Sequence, residues 1–164
     1  MTFTDHIKSI ALAEVGVREE STNRGKRVNE YKAATSLPPD QPWPWCAAFV
    51  CWVISKAMRD YMIENKMCFT FAAPRTAAAY AFDEWSLAQD NSTKTHRAHP
   101  GVAIGIFSLR TVSHCGIAIA KPDSHGFFKT VEGNTNPAGS REGDGVYIRY
   151  RSATNVRDFI EFRV

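Results

Sequence analysis

One stretch restricts this chain more than any other, CAAFVCWVISKAM at 46–58. Read as a helix running over 46–61, it carries apolar side chains on nearly every side. A helix that is apolar all round is buried centrally, so other elements must wrap it. Its approach is sharply bounded. The preceding residues, LPPDQPWP at 37–44, include Pro38, Pro39, Pro42 and Pro44. Prolines remove backbone donors and push the residues before them into extended conformations. That segment is therefore a loop, and it delivers Cys46 to the first turn of the helix. A cysteine there can be a small buried hydrophobe. It can also be a reactive thiolate, because the helix dipole and the free N–H groups of the first turn favour an anion.

The remaining elements follow from periodicity. Thr4 is expected to cap a first helix with Ile7, Ile10, Ala11 and Val15 on its stripe, ending near Gly16. A polar loop at 18–25 precedes a short second helix marked by Val28, Tyr31 and Ala34. After the central helix, the Ala-rich residues 76–87 read as another helix, and 91–100 as a polar surface loop. Beyond Gly101 the pattern changes to short apolar runs between turn residues, with strands expected at 102–107, 112–120, 127–131, 146–150 and 158–162. Residues 121–126 make a turn that joins two of these strands into a hairpin, and 140–145 read as a second turn. Helices first and strands afterwards, with short links, predict an α+β fold with an antiparallel sheet.

Three polar positions converge on Cys46. His114 opens the second of those strands, and the following strand runs out through Glu132 and Asn134. In an antiparallel hairpin the start of one strand lies beside the end of the next, so Glu132 or Asn134 is expected next to His114. Either side chain would fix the imidazole's tautomer and orientation. Nucleophile, base and orienting acceptor form the constellation of a cysteine hydrolase. Trp43 and Trp45 are expected to be partly core, with at least one of them lining a substrate groove together with Ser113. Cys51, Cys68 and Cys115 read as core or incidental. Cys115 is the rival nucleophile, but neighbouring residues of a strand point to opposite faces, so it is expected to face away from the base.

Composition limits the partners. With 164 residues, 44% hydrophobic and 23% charged, the chain is of ordinary globular type, and a net charge of +3 without a dense Lys/Arg run does not imply a nucleic-acid partner. No apolar stretch approaches the roughly 18 residues that span a bilayer, so no membrane partner is expected. The first residues lack a basic segment followed by an apolar run, which argues for synthesis in the cytoplasm without a signal peptide. Cys46 and Cys51 point about 140° apart on one helix and are not expected to bond to each other. The Cys and His residues form no paired zinc-ligand motif.

PWCAAFVCWV, SHCGIAIA and VEGNTN together resemble the CHAP amidase/peptidase domains of bacterial and phage cell-wall lysins, within the wider NlpC/P60 papain-like group. AEVGVREESTNRG, APRTAA and GNTNPAGSREGDGVYIRYR are similar to stretches of the same proteins, so the likeness covers nearly the whole chain. It implies a papain-like fold in which 1–164 form a single CHAP-like catalytic domain, with N-terminal helices packed on a C-terminal antiparallel sheet. It implies Cys46 as nucleophile, His114 as base, Glu132 as orienter and Asn134 assisting. The NlpC/P60 branch usually has a His as third member. This chain has none there, which favours the CHAP branch. Some CHAP domains bind calcium through clustered Asp residues just before the Cys. Here that region offers only Asp40, too few oxygens for the ion, so neither a metal nor another cofactor is expected.

The activity implied is cleavage of an amide bond in bacterial peptidoglycan, as an N-acetylmuramoyl-L-alanine amidase or as a peptide endopeptidase. The alternative is a catalytically idle wall-binding or inhibitory module on the same fold. The expected setting is the periplasm or cell wall, reached by release as a phage endolysin or by injection as an antibacterial effector. An immunity protein would be a partner in the second case. A monomer is expected.

Overall fold

The computed structural model describes residues 1–89, 92–111, 113–138 and 143–164. Four helices come first: α1 (Phe3–Ala13), α2 (Lys26–Lys32), α3 (Cys46–Asn65) and α4 (Phe82–Leu87). The strands follow as β1 (Thr93–His96), β2 (Gly105–Leu109), β3 (Cys115–Ala118), β4 (Phe127–Thr135), β5 (Gly145–Ser152) and β6 (Val156–Phe162). Among the described residues they form one sheet in the order β1-β6-β2-β3-β4-β5, antiparallel throughout. The class is α+β, as the order of periodicities predicts. No helix among the described residues is long and apolar enough to cross a membrane.

The helix that is apolar all round is the centre of the molecule. Residues 46–51, Val53, Ile54, Ala57 and Met58 of α3 are buried. They pack against α1 and α2 on one side and against β3 and β4 on the other. The sheet has two dressed faces. Cys115, Ile117, Ile119 and Val131 join the core under α3, while Phe107, Ala118, Phe128 and Phe159 form a smaller cluster on the far face. The helix comes very close to the strands at Gly133, where an added Cβ would lie 2.6 Å from Phe49 Cβ and 2.7 Å from the Trp45 ring. Gly133→Ala is expected to cost about 1–3 kcal/mol by overpacking and to displace the first turn of α3. A lowered melting temperature together with slower alkylation of Cys46 would show it.

Several expectations are corrected. Thr2, not Thr4, caps α1: its Oγ1 accepts from the Asp5 amide at 3.1 Å, and its own amide donates to Asp5 Oδ2 at 3.0 Å. A cap at Thr4 would put Ile7 where the returning acceptor must sit, and an apolar side chain cannot complete that reciprocal box. Val15 lies beyond the helix and is exposed. The helix expected over 76–87 contains only α4. Upstream of it, carbonyls that a helix would use internally accept side-chain donors instead: Thr76 O from Cys51 Sγ, Ala79 O from Ser108 Oγ, and Tyr80 O from Arg157 Nη2. The expected surface loop over 91–100 contains β1. This polar edge strand pairs with β6, and its Thr93 hydroxyl bonds to Ser86. The second strand is shorter than expected and the third longer, running on to Thr135. Residue 112 of the former and residues 140–142 of the expected second turn lie outside the described residues.

Candidate active site

Cys46 is the first residue of α3, and no side chain caps that helix end. The proline-rich loop before it is held by fixed contacts. Trp43 Nε1 donates to Pro38 O at 2.8 Å, Arg24 Nη1 to Asp40 O at 3.0 Å, and the buried Lys32 ammonium to Gln41 O at 2.7 Å. Lys32 also donates to Asn23 O, tying the 18–25 loop to the proline loop. Trp45 is completely buried, stacks on Tyr31 and donates from Nε1 to Glu19 Oε1 at 2.6 Å. It is therefore a core residue that locks the entry to α3, which corrects the expectation of a substrate contact at Trp45. Its ring has no path to solvent.

Trp43 does line a groove, with Cys46, Leu37, Pro44, Tyr80 and Ser113, in a cleft of about 250 Å³. A second lobe of about 190 Å³ shares Ala79, Tyr80 and Ser113, and adds His114, Arg110 and Arg157. Cys46 thus opens on one lobe and His114 on the other, with Ser113 common to both. The irregular segment before α4 forms the opposing wall, which is why its departure from helix matters to the site.

His114 immediately precedes β3 and is 1% exposed. Its Nε2 is 2.8 Å from Glu132 Oε2. Glu132 is itself fully buried and accepts from Thr130 Oγ1 at 2.7 Å and from Arg151 Nε at 2.8 Å. A second Arg151 bond, Nη2 to Oε2, makes the guanidinium contact two-pronged. Burial raises the Glu132 carboxyl's pKa, but the bonds from Arg151 and His114 outweigh it and hold the group at about 2. The carboxylate is thus ionised and can only accept, so Nε2 must carry a proton. That leaves Nδ1 for the thiol. Nδ1 is buried and has no partner at ordinary hydrogen-bond geometry, yet the ring and the Cys46 thiol interact closely enough to shift each other's protonation. Catalytic contacts that tighten only with substrate bound have this loose geometry in the free protein.

The electrostatics separate the thiols. A hydrogen bond from Cys115 and the neighbouring imidazole together hold Cys46 well below the ordinary thiol range, against its burial. Burial lowers the His114 pKa, but the contacts with Cys46 and Glu132 prevail and raise it to about 9. Burial pushes Cys51 up to about 12, and its thiol donates to the Thr76 carbonyl. None of the four cysteines is joined in a disulfide, and Cys68 is exposed. A low-pKa thiol beside an oriented imidazole is equipped to attack an electrophilic carbonyl.

Asn134 is 1% exposed and occupies the irregular end of β4 with a left-handed φ of 54°. The imidazole Nε2 is bonded to Glu132. Arg151 and Thr130, which hold Glu132, were not singled out in the sequence. The available signal was strand parity, because residues 130 and 132 share a face. Arg110 and Arg157 of the second lobe were missed as well. Among the described residues, no three His, Cys, Asp or Glu side chains are grouped to hold a metal ion.

Fold and site together define an α+β protein with a thiol at a helix start and a carboxylate-held imidazole beside an open groove. No protein-family model matches the chain, and no curated protein sequence matches it. Among solved structures, the fold is similar to that of Ly7917, with a TM-score of 0.54 at 16% sequence identity. The likeness covers 99% of this chain and 63% of that one. This chain therefore spans less than two thirds of that protein's length, and at this identity the likeness is one of fold.

Proposed function

We propose that this chain is a cysteine hydrolase of the papain-like CHAP type that cleaves an amide bond in the peptide of bacterial peptidoglycan. The observation that carries the proposal is the buried series Cys46, His114 and Glu132, with Glu132 held by the half-buried Arg151, beside a two-lobed groove. The Cys46 thiolate attacks the scissile carbonyl carbon, and the carbonyl π electrons move onto oxygen. The uncapped first-turn N–H groups of α3, including that of Cys46, receive this oxyanion. Collapse of the tetrahedral intermediate breaks the C–N bond, and the His114 imidazolium gives its proton to the leaving amine. Water, deprotonated by the neutral imidazole, then hydrolyses the thioester and regenerates the thiolate–imidazolium pair. Glu132 keeps the ring oriented throughout, and Trp43 and Ser113 contact the peptide.

Digestion of defined muropeptides, followed by mass spectrometry, tests the proposal. A hydrolysed product is expected, and its mass identifies an N-acetylmuramoyl-L-alanine or a stem-peptide bond. Binding without any new product would favour an idle module instead. The pH profile adds a second expectation. His114 is raised to about 9, so the imidazolium's contribution to stability is complete below its ordinary pKa and is lost as pH rises through about 9. The same deprotonation removes the acid needed by the leaving amine. kcat/KM is therefore expected to hold through neutrality and fall above about pH 9.

A further inference from the structure

The second lobe of the groove carries positive charge for which the scheme above has no use. Arg110 and Arg157 both line it. Arg157 Nε donates to Asp158 Oδ2 at 2.6 Å and its Nη2 to Tyr80 O at 2.9 Å. Asp158 is 2% exposed and also takes Arg97 Nη1 at 2.7 Å, and Arg97 reaches Asp83 at 3.0 Å. Two carboxylates thus answer Arg97 and Arg157. Arg110 pairs with no carboxylate among the described residues. Its Nε donates to Val156 O at 2.9 Å and its Nη2 to Arg97 O at 3.4 Å, and both partners are neutral carbonyls. The connected cluster of three guanidiniums and two carboxylates therefore keeps one positive charge, and that charge lies at the lobe on Arg110.

A guanidinium is always charged and presents a rigid fork of donors. The two carbonyls hold Arg110 in place without neutralising it, which prepares the fork for an oxyanion, above all a carboxylate. The lobe, about 190 Å³, has room for one small amino-acid residue, and Thr111 and Ser113 add hydroxyls to its lining. His114 borders this lobe, whereas Cys46 opens on the other. The proton for the leaving amine comes from His114, so the fragment that bears this amine lies on the Arg110 side. We propose that the second lobe is a subsite for a carboxylate on the leaving-amine fragment of the substrate, with Arg110 as its main ligand and Arg157 beside it. This rests on the reading of the chain as a peptidoglycan amide hydrolase. Wall stem peptides offer such carboxylates at the chain end and, within the chain, at residues linked through a side-chain carboxyl. An amidated peptide presents a neutral group there and leaves Arg110 unanswered, so the lobe selects the free acid.

The test compares kcat/KM on defined muropeptides in three forms: all carboxylates free, the chain-end carboxylate amidated, and the in-chain carboxylate amidated. One of the two amidated forms is expected to be cleaved about ten- to a hundredfold less efficiently, the scale of a hydrogen bond to a charged group, and which one it is identifies the carboxylate. In Arg110→Gln the free acid should fall to the level of that amidated form, mainly through KM. Arg110→Lys, which keeps the charge but not the fork, should restore part of the preference. Equal cleavage of all three forms by the wild type, or an equal loss on all three in Arg110→Gln, would overturn the proposal and leave Arg110 as a strand-end contact. A second measurement needs neither a variant nor cleavage. The Arg110 Nε–H resonance of the wild type should shift on titration with N-acetyl-D-alanine and stay in place with its carboxamide. The same response to both, or to neither, would also overturn the subsite. That selective shift in a protein that cleaves none of the muropeptides would retain the carboxylate site and overturn the peptidoglycan reading instead.

Discussion

Cys46→Ala is expected to abolish peptidoglycan cleavage, with a loss in turnover of about a millionfold, the scale seen when a protease loses its nucleophile. The substitution deletes one sulfur from a residue that is already 5% exposed at a helix start, so the fold should survive. Thermal unfolding should change little, because a polarisable but small side chain is lost from the edge of the core. The removal also leaves the His114 imidazolium without its anion. The ring's pKa should drop from about 9, and a two-dimensional NMR titration of the imidazole would record the drop. Turnover near the wild-type level, with Cys115→Ala inactive instead, would reverse the assignment of the nucleophile.

Glu132→Gln is the second large effect. The carboxylate is fully buried and takes hydrogen bonds from His114, Thr130 and Arg151. A glutamine offers one acceptor oxygen and brings an NH2 group against two donors. Removing one member of a buried charge pair costs about 3–5 kcal/mol, because the partner is left uncompensated. The melting temperature should fall accordingly. Turnover should drop by about a hundred- to a thousandfold. That is less than the roughly ten-thousandfold loss in a serine triad, because a thiol ionises more readily than a hydroxyl and needs less from its base. The pH signature distinguishes orientation from mere packing. Without the carboxylate the imidazolium loses a stabilising neighbour, so the alkaline limb should move down from about pH 9. At the acid end the wild-type carboxylate, held at about 2, contributes stability that is present above its ordinary pKa and is lost as pH falls through about 2. The glutamine variant should lack this acid dependence. Asn134→Gly is the matched comparison, since glycine accepts the left-handed φ of 54° without the strain that alanine would add. It should be milder. A larger loss in Asn134→Gly at unchanged stability would make Asn134 the main partner of His114.

The features legible in the sequence are those set by near neighbours along the chain. The prolines of 37–44 forced a loop, the all-round apolar run of α3 forced a central helix, and the change from helical to alternating periodicity forced a sheet into the second half. From these, antiparallel pairing through a short turn set either Glu132 or Asn134 beside His114, and it is Glu132 that bonds to the ring. Cys46 at the helix start followed from the same proline boundary.

What stayed hidden depends on groups far apart in sequence. Nothing near Arg151 marks it as the counter-ion of a carboxylate 19 residues away, because only the β4–β5 register and its face make them neighbours. Residues 76–81 have the composition of a helix, yet the Thr76, Ala79 and Tyr80 carbonyls go to Cys51, Ser108 and Arg157, and local propensity is a weak bias beside such tertiary bonds. The β1 strand is polar and acquires its conformation from the free edge of β6. Trp45 and Trp43 are alike in sequence and two residues apart, but one is sealed against Tyr31 and the other borders the groove. Strand parity correctly turned Cys115 away from His114, but it could not show where the start of α3 would rest. Helix placement on a sheet is set by the packing of both surfaces, here by the glycine at 133, where an added Cβ would meet Phe49 and Trp45 of the descending α3.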